Sequence, residues 1–235
     1  MKILAIDSST TPASVAVTEN NAPLGEFTIN INRTHSEKLL PLVDQLLDEV
    51  GLKVTDIDAF AISAGPGSFT GLRIGMSAAK LMAQVSKKPL IAVGTLEGLA
   101  ANVCAFEGYV CPMLDARNNT VNTALYNTSC SLPTEAEKPD AVSVDDLANK
   151  LLNLDSPVVI TGEYGKYESK FPKETASGKP IHRAPLFLSS QRAVATAVVA
   201  YELLLKGVAT DPNTVNPLYI RESQAEQAKK ARKAK

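Results

Sequence analysis

Two aspartates close short apolar runs in segments that resemble each other. Asp7 ends KILAID, Asp115 ends CPMLD, and each is followed by a polar turn and a second β-rich run. An acid in that place can hold a metal-bound water, and the turn behind it can cradle phosphate with backbone N–H groups. Such cradles use glycine so that the backbone can approach the ligand. The turns here read Asp7-Ser8-Ser9-Thr10-Thr11 and Asp115-Ala116-Arg117-Asn118-Asn119, with no glycine in either. That favours the plainer role, in which both carboxylates cap strands and bind turn amides. A weak nucleotide contact through Asp7, Ser9, Thr10 and Asp115 stays open, above all at a site shared with a partner.

The glycines lie elsewhere. GPGSFTGLRIG holds Gly65, Gly67, Gly71 and Gly75 within eleven residues. Ser68 fits an N-cap, so GPG is a strand-to-helix turn. No GK[ST] follows, which argues against a P-loop. Inside the helix, Gly71, Gly75, Ala78, Ala79 and Ala83 recur at spacings of three and four and share a small-residue face, which lets another helix come close. The other chemistry-bearing residues are sparse. His35 and His182 are the only histidines and lie far apart, without ligands at metal spacing, and Cys104, Cys111 and Cys130 show no CxxC pattern. The cysteines read as reduced thiols.

The elements that must position these groups follow from periodicity. Residues 2–7, 14–19 and 26–31 read as a strand meander with a turn at residues 20–23. Thr34 and Glu37 form a capping box, with Ser36 as a competing cap, ahead of a helix whose Leu39, Leu40, Val43, Leu46, Leu47 and Val50 share a face and which Gly51 ends. A strand at 57–63, the glycine turn, a helix to about Ser86, a strand at 89–93 and a helix over TLEGLAANVCAF follow. The pattern then restarts, Asp115 matching Asp7 at an offset of 108 residues. PVVITGE at 157–163 reads as a strand entering a turn, Ser189–Gly207 as a small-residue-rich helix, and residues 128–139 as a Pro- and Glu-rich loop. Two α/β subdomains, 1–105 and 106–223, are expected, with a basic tail at 224–235.

The 235 residues are 45% hydrophobic with 21% charged, enough for a substantial core. The run Ile3–Ile6 is too short for a signal peptide, and no stretch approaches the ~20 apolar residues of a membrane span, so a cytoplasmic protein is expected. The last seven residues, KKARKAK, carry five bases, while residues 1–228 carry 19 bases and 25 acids. The tail reads as a solvated terminus or as an arm that touches RNA phosphates.

A strand ending in Asp, a polar turn and a second strand, present twice, is similar to the actin-like and sugar-kinase superfold. LAIDSSTTPASVAV, THSEKLLPLVDQLLDEVGL, DIDAFAISAGPGSFTGLRIGMSAAKLMA, VGTLEGLA, LDARNNTVNTALY and PLYIR together resemble the TsaB family of bacteria, densest over residues 1–117. The resemblance implies a duplicated actin-like fold with two mixed sheets. It also implies a non-catalytic subunit that pairs with itself or with the transferase TsaD, and works with the ATPase TsaE to place a threonylcarbamoyl group on tRNA. The catalytic relative holds metal with two His at i, i+4. The matching positions here are Thr95 and Leu99, so the resemblance implies no metal and no cofactor held by this chain alone, ATP or ADP entering only at a partner complex. It further implies a helical interface in which Leu39, Leu40, Val43 and Leu47 of the first helix join Gly71, Gly75, Ala78 and Met82 of the second. On that reading a bulky residue at Gly75 blocks assembly and spares the fold. An autonomous ATP-dependent transferase or kinase of the same superfold is the alternative, and a metalloprotease-like hydrolase is disfavoured by Thr95 and Leu99.

Overall fold

The structure, a computed structural model, describes residues 1–30, 35–129 and 132–220, with side chains at 35–37 also outside the description. The capping box at Thr34 and Glu37, Cys130 and the basic tail therefore lie outside the described residues. Strands β1 (Lys2–Asp7), β2 (Ala13–Glu19) and β3 (Ala22–Ile29) form an antiparallel meander, and β4 (Ala59–Gly65) and β5 (Leu90–Gly94) add in parallel beyond β1, in the order β3-β2-β1-β4-β5. The second sheet uses β6 (Glu107–Asp115), β7 (Thr120–Ser129), β8 (Thr134–Ser143), β9 (Val158–Gly162) and β10 (Ile181–Arg183), in the order β10-β9-β6-β7-β8. Numbered within its own half, each sheet has the order 3-2-1-4-5. The chain is thus a duplicated actin-like α/β unit with two mixed sheets flanked by helices.

The two faces of the first sheet follow from period 2. Leu4, Ile6, Phe60 and Ile62 face helices α1 (His35–Glu49) and α2 (Phe69–Ser86), while Ile3, Ala5, Ala59 and Ala61 face the other way. A strand buried on both sides reads as one continuous apolar run, as KILAID and AFAISAG do. The second face is covered by α5 (Ala193–Leu205), whose Ala193, Ala197, Val199 and Ala200 come from the far end of the chain. Helix α3 (Thr95–Ala101), from the first half, sends Leu96 and Leu99 against Val110, Leu114 and Tyr126 of the second sheet. The boundary at 105/106 thus separates the sheets, but residues 193–219 return to the first one. Val215 enters its core, Thr210 donates to Leu90, and Leu218 donates to Ala64.

Several local expectations change. The turn before β3 is the two-residue pair Asn20-Asn21, both with positive φ (47° and 68°), so the strand starts at Ala22, ahead of the expected position. The expected loop at 128–139 is mostly strand. Pro139 is tolerated because β8 is an edge and its register slips there, Thr123 facing Asp140 and Leu125 facing Glu137. Helix α4 (Val144–Leu152), which the periodicity reading missed, begins at an N-cap of the expected kind: Ser143 accepts from the N–H of Asp146.

Candidate functional site

The first strand–turn–strand loop folds back on its own chain. Asp7 is 2% exposed at the end of β1. Its Oδ1 accepts from the N–H of Ser9 at 3.0 Å and the hydroxyl of Ser9 at 2.6 Å, and its Oδ2 accepts from the Ser63 hydroxyl at 2.6 Å. Ser63 lies 3.0 Å from Thr196 on α5, so one buried polar network ties β1, β4 and α5 together. The Thr10 hydroxyl donates to Gln191. The turn after β4 closes the other side: the N–H of Ser68 donates to the carbonyl of Ser9 at 2.6 Å. This geometry matches the capping role. Of the four residues named for a nucleotide contact, Asp7, Ser9 and Thr10 are buried in this network and Asp115 ends β6 of the other sheet.

The glycines serve this closure. A Cβ on Gly67 would sit 2.2 Å from the carbonyl oxygen of Ser9, and one on Gly65, at φ +121°, 2.3 Å from that of Leu218. A Cβ on Gly75 would sit 2.2 Å from the Ser8 hydroxyl, which itself donates to the carbonyl of Gly71 at 2.9 Å. Ser68 caps α2 as expected, accepting from the N–H of Gly71. The small-residue face of α2 therefore meets the chain's own β1 turn and β4, which corrects the expectation of an open face there. Of the eight residues expected at a partner surface, Leu39, Val43, Leu47, Gly71, Gly75 and Ala78 are buried within this chain. Leu40, expected on the buried stripe of α1, is 51% exposed, and Met82 is half-buried. These two, with Pro41, Asp44, Val54 and the edges of Val43 and Leu47, line an open groove of about 500 Å³ between α1 and α2. Leu81 and Val85, also on α2, are 57% and 75% exposed. Burial by tertiary neighbours, which spacing does not reveal, is what divides the eight.

The second loop is more open. Arg117, Asn118 and Asn119 all have positive φ, and the side chain of Asp115 accepts from the N–H of Arg117 at 2.9 Å, the Tyr167 hydroxyl at 2.9 Å and Lys166 at 3.0 Å. Burial pushes this carboxyl up, but the three donors outweigh it and hold it below the usual aspartate range. A depressed acid stabilises the fold above its unfolded value, and that contribution is lost as pH falls through the folded value. Asp115→Asn should therefore melt below the parent at pH 7, by about 1 kcal/mol for a partly exposed network. The gap should begin to narrow as the pH drops below about 4 and go on narrowing below that. Thermal denaturation at pH 7 and pH 3.5 checks this; a gap of equal size at both values would sink it.

Thr95 and Leu99 stand at the start of α3, one turn apart. The Thr95 hydroxyl accepts from the N–H of Gly65 at 3.2 Å, and Leu99 packs in the second core beside Gly162. Both are fully buried. Among the described residues, no three His, Cys, Asp or Glu side chains are grouped as a metal site would need. His182, on β10, rests against the edge of Phe106, with ring centroids 5.8 Å apart. Cys111 is buried beside Thr123, and burial pushes its thiol up to about 11. No helix among the described residues is long and apolar enough to cross a membrane.

Comparison with known proteins agrees with this arrangement. The family model of the tRNA N6-adenosine threonylcarbamoyltransferases matches residues 24–229. The tRNA threonylcarbamoyladenosine biosynthesis protein TsaB of Bacillus subtilis is 34% identical over 162 residues, covering 69% of this chain and 71% of that protein. Its namesake in Escherichia coli is 29% identical over 228 residues, 96% of both chains. The crystal structure of a Pseudomonas aeruginosa protein described as similar to peptidase YeaZ superposes with a TM-score of 0.81 at 25% identity, over 94% of this chain and 99% of that one. The duplicated fold, the motifs along both halves and these matches lead to one assignment: the chain belongs to the threonylcarbamoyladenosine biosynthesis family, on its TsaB side.

Proposed function

We propose that this chain is an accessory, non-catalytic subunit in making threonylcarbamoyladenosine on tRNA, and that it works in the cytoplasm by assembling with the transferase TsaD and the ATPase TsaE. One observation carries the reading. Where the catalytic relative carries its pair of metal-binding histidines, this chain has Thr95 and Leu99, both packed into cores and neither suited to holding a metal. The α1–α2 groove is the surface offered to a partner, being lined mainly by apolar side chains and flanked by exposed Leu81 and Val85. The same surface would serve for pairing with a second copy when TsaD is absent.

The test is transfer of the threonylcarbamoyl group from its adenylate to unmodified tRNA by purified TsaD and TsaE, with and without this chain. Transfer should depend on the chain, and the chain alone should give none. Transfer, or nucleotide turnover, by the chain alone would replace the reading with an autonomous enzyme of the same superfold.

A further inference from the structure

We infer that the exposed corner formed by Phe69, Arg73 and Tyr219 is a contact site for single-stranded RNA, which deepens the tRNA reading above and rests on it. Phe69 opens α2 and is 38% exposed, and Tyr219 is 39% exposed. Their ring centroids lie 5.1 Å apart at an interplanar angle of 31°. The Arg73 guanidinium carbon lies 3.8 Å from the centroid of the Phe69 ring, and its Nε donates to the Tyr219 hydroxyl at 3.2 Å. Among the described residues no carboxylate pairs with Arg73, so the corner keeps its positive charge.

Anchoring of the terminal segment does not account for these rings. Val215 in the core and Leu218 bonded to Ala64 already hold residues 215–218 against the first sheet. Tyr219 comes after those anchors and lies on the surface beside Phe69. Two residues beyond Tyr219 the chain enters RESQAEQAKKARKAK, which carries six bases and two acids, on a chain whose net charge is −1. An exposed aromatic pair with a guanidinium fixed on it has two features that bind unpaired nucleotides: aromatic surface on which a base can stack and a cation for phosphate. Bases splayed out of a tRNA loop present the matching chemistry.

The experiment measures binding of the full chain to a fluorescent twelve-nucleotide single-stranded RNA, to a duplex of equal length and to unmodified tRNA, across a salt series. The parent should bind single strand and tRNA better than duplex. Phe69→Ala and Tyr219→Ala should each weaken single-strand binding roughly ten-fold with the salt slope unchanged. Tyr219→Phe should bind like the parent. Changing the five bases of KKARKAK to Gln should make the slope shallower. Circular dichroism confirms folding of every variant. A parent that binds no RNA at low salt, or prefers duplex, overturns the inference. So do folded alanine variants with parental affinity, or ones that lose binding to TsaD but not to RNA. Threonylcarbamoyl transfer by TsaD and TsaE, run in parallel, reports on the accessory role separately, so that role can stand while the RNA corner fails.

Discussion

Gly75→Leu should lower the melting temperature by about 5–20 °C, and should not yield a soundly folded monomer. The Cβ alone would lie 2.2 Å from the Ser8 hydroxyl and 3.0 Å from Ile62 Cδ1. Ser8 is 1% exposed and its hydroxyl is held on the carbonyl of Gly71, while Ile62 is fully buried at the centre of the sheet. Relief requires Ser8 to leave its acceptor, stranding a buried hydroxyl at about 1–3 kcal/mol. The remaining leucine carbons overpack the core, at about another 1–3 kcal/mol. Together these remove a large part of the ~5–15 kcal/mol that holds a domain folded, and each kcal/mol is worth about 2–4 °C in a chain of this size. Gly67→Ala should be comparably costly, because its Cβ meets the backbone carbonyl of Ser9, which cannot rotate aside. Gly51→Ala is the control. It has φ +68° but open space, so it should cost only about 1 kcal/mol. A Gly75→Leu protein that melts like the parent would show that the turn after β1 yields easily.

The double variant Leu40→Glu, Met82→Glu should lose association with TsaD and with a second copy by about 30-fold or more, while staying folded with a melting temperature only a few degrees lower, since Met82 packs partly against the core of the first sheet. Leu40 is 51% exposed and Met82 half-buried, so charges there reach water in the free chain. In an assembled groove they would be desolvated beside Val43 and Leu47 without partners, and a buried unpaired charge at an interface centre costs about 2–5 kcal/mol. Sedimentation alone and with TsaD, together with threonylcarbamoyl transfer, reads the effect. Parental assembly by the folded variant would place the partner surface elsewhere. It would leave the groove without a role and the accessory function dependent on some other face.

Periodicity and punctuation alone determined a good deal. Asp7 and Asp115 ending apolar runs, 108 residues apart, marked the duplicated strand–turn–strand, and both sheets are built on it. Ser68 and Gly51 marked helix ends because capping and positive φ are local requirements. Thr95 and Leu99 excluded a histidine pair by identity alone. Tertiary structure decided the rest. Helical spacing reports that a face is small or apolar but not what covers it. The neighbour that requires glycine at 75 is Ser8, sixty-seven residues earlier, and the neighbour at Gly65 is Leu218, at the far end of the chain. The same limit hid the return of α5 to the first sheet and the exposure of Leu40. A helix buries its apolar stripe against whichever surface the whole chain brings to it, and that choice is made by long-range packing, which no window of sequence contains.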